Sequence, residues 1–124
     1  MTLEAMTLEP MTTIYKICDA AAWAEAEDAG EFRGSAVDVA DGYIHLSTAS
    51  QVAETAAKHF ARRSGLVVVA IAAEDVSGFL KWEPSRGGAL FPHLYGALPM
   101  TAVRWVKPLP LDPGGMHLLP PELG

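Results

Sequence analysis

The sequence predicts an α+β domain, and three observations carry that prediction. Residues 66–72 form a continuous run rich in Val and Ile behind Ser64-Gly65, the pattern of a strand buried on both faces. Residues 43–47 alternate between polar and apolar side chains, as a half-buried strand does. Two further stretches read as helices, one between Asp19 and Gly30 and one over residues 50–63 with Val52, Ala56 and Phe60 on one side. At 124 residues and 50% hydrophobic content, the chain is large enough for a core without metal or disulfide.

The elements follow in order. Met1-Thr2-Leu3-Glu4 is repeated as Met6-Thr7-Leu8-Glu9 before Pro10, so residues 1–12 read as a disordered leader or an upstream start, with Met11 an alternative beginning. Order is expected from Thr13 onwards. Residues 14–18 read as a strand with Cys18 packed as a small hydrophobe, and Asp19 as the N-cap of the first helix. Residues 32–39 read as an irregular link. Asp41-Gly42 signals a tight turn, and Thr48 with Gln51 three residues on matches a capping box at the start of the second helix. His59 falls on that helix and reads as a flank residue rather than a ligand. Residues 66–72 should be the central strand, residues 79–83 a short one, and residues 84–88 a loop. In the extended segment 91–96, Phe91, His93 and Tyr95 share one side and Pro92 implies a sheet edge. Residues 102–107 read as the last strand. Residues 112–124 then form a proline-rich tail, packed by a few Leu residues or frayed, so the single domain spans 13–111.

Composition narrows the function. Residues 1–46 set Lys16 and Arg33 against nine carboxylates, a balance of −7 out of a total of −6. An acidic chain without a basic run is unsuited to binding nucleic-acid backbone, although cations remain for one small anionic ligand. The longest apolar run, residues 66–73, is too short to span a membrane, and the single Cys18 forms no internal disulfide. A reducing, cytoplasmic setting is the expectation. No Cys/His cluster has metal-ligand spacing, so no metal is expected.

The candidate site starts from Tyr43, His45 and Ser47, which the period of two projects to one face. His93 and Tyr95 repeat the pairing of an imidazole with a phenol on a second extended segment beside a glycine-rich turn. A shared cleft explains both. Neutral imidazole can donate or accept near neutral pH, tyrosines can stack on a base or sugar, and Lys16 or Arg86 can pair with phosphate.

Asp41-Gly42-Tyr43-Ile44-His45-Leu46-Ser47-Thr48, together with Trp82-Glu83-Pro84-Ser85-Arg86 and Phe91-Pro92-His93-Leu94-Tyr95-Gly96, resembles the hallmarks of domain-of-unknown-function family 952, found in bacteria and plants. The resemblance spans residues 14–111. It implies an ADP-ribosylation-like fold, with mainly antiparallel split sheets and two flanking helices. By order of motifs, Tyr15-Lys16 followed by Gly42-Tyr43 and Ser47-Thr48-Ala49 is similar to cholera-toxin-like ADP-ribosyltransferases, and His45-Leu46-Ser47 is similar to a strand of RNA 2'-phosphotransferases. Both use NAD, so the resemblance implies NAD or an ADP-ribose-like nucleotide as ligand. His45, His93 and Glu83 then become candidate catalytic residues, and Lys16, Tyr43, Ser47, Thr48, Arg86 and Tyr95 candidate binding residues. The chain departs from the toxin-like pattern at Lys16, where those enzymes have Arg, at Ala49, where they have Ser, and at Phe91-Pro92-His93, where their Glu-x-Glu is absent. These departures point to a degenerate transferase. The other reading is a non-catalytic module for a different small anionic metabolite.

Overall fold

The apolar run at residues 66–72 becomes the middle strand of the main sheet. This computed structural model describes residues 12–123, apart from the side chain of Arg86, so the expected leader lies outside the described residues except for Thr12. In chain order the elements are β1 (Thr13–Asp19), α1 (Ala20–Ala29), β2 (Glu31–Phe32), α2 (Ala36–Asp41), β3 (Ile44–His45), α3 (Val52–His59), β4 (Leu66–Ala72), β5 (Leu80–Pro84), β6 (Leu90–Leu94), β7 (Leu98–Pro99) and β8 (Val103–Pro108). They form three antiparallel sheets, ordered β1-β4-β8, β3-β6-β5 and β2-β7. The architecture is mixed α and β with antiparallel sheets and few helices.

Alternation along β1 and β4 sorts the interior into two cores. Ile14, Cys18, Val69 and Ile71 face one side, where they meet Trp23 and Ala26 of α1, Ile44 and Leu94 of the second sheet, and Leu46 just beyond β3. Tyr15, Ile17, Val68 and Ala70 face the other, against Val52 and Ala56 of α3. Full burial of an aliphatic side chain such as Val52 stabilises by about 1.5–3 kcal/mol, so both faces of the sheet hold the fold together. Lys16 shares the inward face of β1 with Ile14 and Cys18 and is itself buried. A cation in that position needs a counter-charge.

Several expectations are corrected. The link over residues 32–39 contains the end of β2 and the start of α2, so three α-helices are present among the described residues where two were expected. Neither element shows a periodic pattern: β2 exists through its pairing with β7, and six residues are too few for a helical period. Asp41-Gly42 is the end of α2, with Gly42 left-handed at φ 89° as its C-cap. Asp19 occupies the N-cap of α1 as expected, but its side chain makes no capping bond and pairs instead with Arg63. The second helix stops at His59, and Arg62 beyond it takes a φ of 62°. Pro92 lies in β6, the central strand of its sheet. Its carbonyl accepts from the Leu46 amide, so the side of β6 that lacks a donor is the one from which the chain of β3 departs toward β1.

The tail docks. Leu109 is fully buried, Leu111 bridges His117, and Leu123 packs on the second core. Among the described residues, no helix is long and apolar enough to cross a membrane.

Candidate functional site

The site is built where the chain of β3 crosses between two sheets. Ile44 and His45 pair with Leu94 and His93 of β6, and two residues later Ser47 exchanges both backbone hydrogen bonds with Tyr15 of β1, at 2.8 and 2.9 Å. Residues directly opposite on antiparallel strands share a face. His45 and His93 are such a pair, with ring centroids 5.7 Å apart. Tyr43 stacks on His93 at 4.1 Å and lies 4.6 Å from His45 and 5.2 Å from Tyr95.

Each imidazole is held by a carboxylate. His45 Nδ1 lies 2.6 Å from Asp38 Oδ1, and its Nε2 lies 2.9 Å from Asp41 Oδ2 at the exposed end of α2. Both contacts are hydrogen bonds together only when both ring nitrogens carry hydrogen. His93 Nδ1 lies 2.7 Å from Glu83 Oε1, which also accepts from the Tyr95 hydroxyl at 2.7 Å. These two bonds hold the Glu83 carboxyl below its ordinary range. The same bond to Glu83 pushes the Tyr95 phenol up to about 12. Tyr43 is also raised, by burial first and then by Asp41, Glu83 and Asp38.

Asp38 is the keystone that sequence reasoning missed. It is 1% exposed, and its Oδ2 meets the Lys16 ammonium at 2.8 Å and accepts from the Ser35 amide at 2.8 Å. Its Oδ1 takes the His45 ring and the His45 amide. Burial alone would raise this carboxyl, but the His45 bond, the Lys16 charge and bond, and the Ser35 amide hold it well below the usual carboxylate range. Lys16 Nζ also donates to the His45 carbonyl at 3.1 Å. The ammonium thus answers Asp38 and fixes β3. Gly34, with φ 113°, makes room for this: a Cβ there would sit 2.8 Å from Asp38 Cβ. The available sequence signal was Ser35 three residues before Asp38, a capping box that the structure forms at the start of α2.

A cleft of about 690 Å³ opens over these groups. Tyr43, His45, His93, Ser47, Lys16, Asp41 and Phe91 line it, and so do residues not placed in the site from sequence, namely Thr55, His59, Phe60, Arg63 and Asp19. Ser47 Oγ lies 3.0 Å from Thr55 Oγ1 of α3. His59, read as a flank residue, faces the cleft. Thr48 and Tyr95 are not among the lining residues: Thr48 forms the capping box with Gln51, and Tyr95 is turned to Glu83. Glu83 is likewise behind His93 rather than in the lining. Arg86 lies on the Arg86–Gly88 turn, and its side chain is outside the described residues. Cys18 lines the cleft but is 1% exposed, and burial pushes its thiol up to about 11, which disfavours the thiolate. Among the described residues no cluster of His, Cys, Asp and Glu is arranged to hold a metal ion.

The arrangement offers acid–base and hydrogen-bonding chemistry: two imidazoles oriented by carboxylates, a phenol stacked on one and tilted against the other, and two hydroxyls alongside. The family described as "Protein of unknown function (DUF952)" matches residues 17–106. The chain belongs to the DUF952 family. The match contains both histidine motifs, Asp38 and Arg63, and begins one residue after Lys16. The crystal structure of protein CC0527 from Caulobacter crescentus is similar at 50% identity, covering 90% of this chain and 98% of that one, with a TM-score of 0.86. Its solution NMR structure is similar at 52% identity over 86% of this chain and 91% of that one, with a TM-score of 0.76. Comparison with curated proteins finds no match.

Proposed function

We propose that this cleft binds a nucleotide of the NAD or ADP-ribose class and does not cleave it at an enzymatic rate. The observation that carries the reading is the direct pairing of His45 with His93 on one wall of a cleft of about 690 Å³, within the ordinary size range of small-molecule sites. Ser47 is suited to a ribose hydroxyl and Tyr43 to contact with a base or sugar, while both ring nitrogens of His45 are engaged by Asp38 and Asp41. The reading extends to an ADP-ribosyltransferase-like fold, which the split antiparallel sheets and the motif order support.

Cleavage of the nicotinamide bond develops positive charge on the ribose, which a neighbouring carboxylate stabilises. In this chain Phe91-Pro92-His93 stands where the transferases carry Glu-x-Glu, Glu83 is committed to His93 and Tyr95, and Asp41, the carboxylate that lines the cleft at this end, is engaged by His45 Nε2. That is the basis for binding without efficient chemistry.

Calorimetric titration with NAD and ADP-ribose, beside an assay of nicotinamide release, tests the reading. Weak binding with release slower than about one per second, the lower range of ordinary enzymes, is expected. Faster turnover would make the protein an active enzyme. No binding of either compound at millimolar concentration would sink the nucleotide reading.

A second reading, a module for another small anionic metabolite, is favoured by one observation. Arg63 lines the cleft with a half-exposed guanidinium that can pair with any small anion and requires neither adenine nor ribose. Mass spectrometry of small molecules that co-purify with the protein separates the two readings.

A further inference from the structure

We infer that the phosphate of a nucleotide in this cleft is held by Arg63, at the α3 end, while the imidazole end takes the ligand's uncharged part; the inference rests on the nucleotide reading above. Among the described residues lining the cleft, the permanently charged cations are Lys16 and Arg63. Their partners differ in kind. Lys16 and Asp38 are 5% and 1% exposed, so drawing the ammonium toward a ligand would strand a carboxylate in the interior. Arg63 pairs with Asp19 at 2.7 Å, but the two side chains are 48% and 54% exposed, and such pairs are weak and exchange readily.

The cleft is also polarised along its length. At the imidazole end Asp41 flanks His45 and Glu83 backs His93, carboxylates that disfavour phosphate there, while Asp38 is neutralised by Lys16. Asp19, the partner of Arg63, lies three residues beyond Lys16 on β1, about 10 Å at 3.3 Å per residue. Arg63 is also presented rather than loose. Its guanidinium sits 5.1 Å over the Phe60 ring, its amide donates to the Phe60 carbonyl, and its own carbonyl lies 3.0 Å from His117 Nε2 of the docked tail. A planar guanidinium supported in this way can give paired N–H donors to phosphate oxygens.

The test is calorimetric titration of the full chain with ADP-ribose, for the parent, Arg63→Gln and Asp19→Asn. Asp19 makes no capping bond to α1, so Asp19→Asn removes the competing charge without loosening the helix. Arg63→Gln should weaken ADP-ribose by at least about tenfold, equivalent to roughly 1.4 kcal/mol. Asp19→Asn should strengthen it by about threefold, as expected from freeing one exposed ion pair. Equal affinity of Arg63→Gln and parent, or weakening by Asp19→Asn, overturns the assignment and leaves the nucleotide reading standing. A parent that binds no ADP-ribose at millimolar concentration overturns the nucleotide reading, and the assignment with it.

Discussion

Replacing Asp38 by Asn keeps the shape of the side chain and removes its charge, which isolates the buried contacts with Lys16 and His45. Four donors converge on the two oxygens of Asp38: the Lys16 ammonium and Ser35 amide on Oδ2, and the His45 amide and ring on Oδ1. Asn has one oxygen, so two donors at most keep an acceptor and the other two face an NH2 group. Removing one member of a buried ion pair typically costs about 3–5 kcal/mol, because the surviving charge is left uncompensated. A domain of this size has a total stability of about 5–15 kcal/mol, so Asp38→Asn should lose a fifth of it or more and lower Tm by roughly 10 °C or more. Urea unfolding measures the loss. A second variant, Lys16→Met with Asp38→Asn, should recover part of it, because no charge is then stranded. The folded-state pKa of Asp38 is depressed, so its contribution is present above the unfolded value of about 3.9 and is lost as pH falls through the folded one. The parent should therefore weaken steeply below about pH 4, and Asp38→Asn less steeply. A loss under about 1 kcal/mol in Asp38→Asn would refute the view that this pair anchors β3.

Two further outcomes follow from the same geometry. Gly34→Ala combines a left-handed φ with a Cβ pressed against Asp38, so urea unfolding should show a loss of about 2 kcal/mol or more, with NMR shifts at His45; an unchanged stability would mean that the turn relaxes freely. Glu83→Gln removes the carboxylate that raises Tyr95, so spectrophotometric titration should show the Tyr95 phenol moving down from about 12 toward about 10, with Tyr43 falling less, and an unmoved titration would mean that the Tyr95–Glu83 bond does not persist in solution.

Local pattern determined much of the frame. The Val- and Ile-rich run had to be a strand covered on both faces, and it is the middle of β1-β4-β8. Gly30 had to stop a helix, Thr48 with Gln51 had to start one, and alternation from Tyr43 to Ser47 had to send Ile44 and Leu46 inward. These outcomes depend on contacts within a few residues, so the sequence carries them.

What lay beyond its reach depends on partners distant in the chain. The two-residue β2 is a strand because β7 lies beside it, with Glu31 paired to Pro99 68 residues further on, and Pro92 can sit in a central strand because β3 leaves its side there for β1. Tyr43, His45 and His93 were legible as a set, but the register that makes the two imidazoles direct neighbours is a property of the folded sheet. Lys16 looked like a cation free for phosphate. Only the tertiary structure brings Asp38 to it, because a buried ammonium must find its carboxylate wherever the fold provides one.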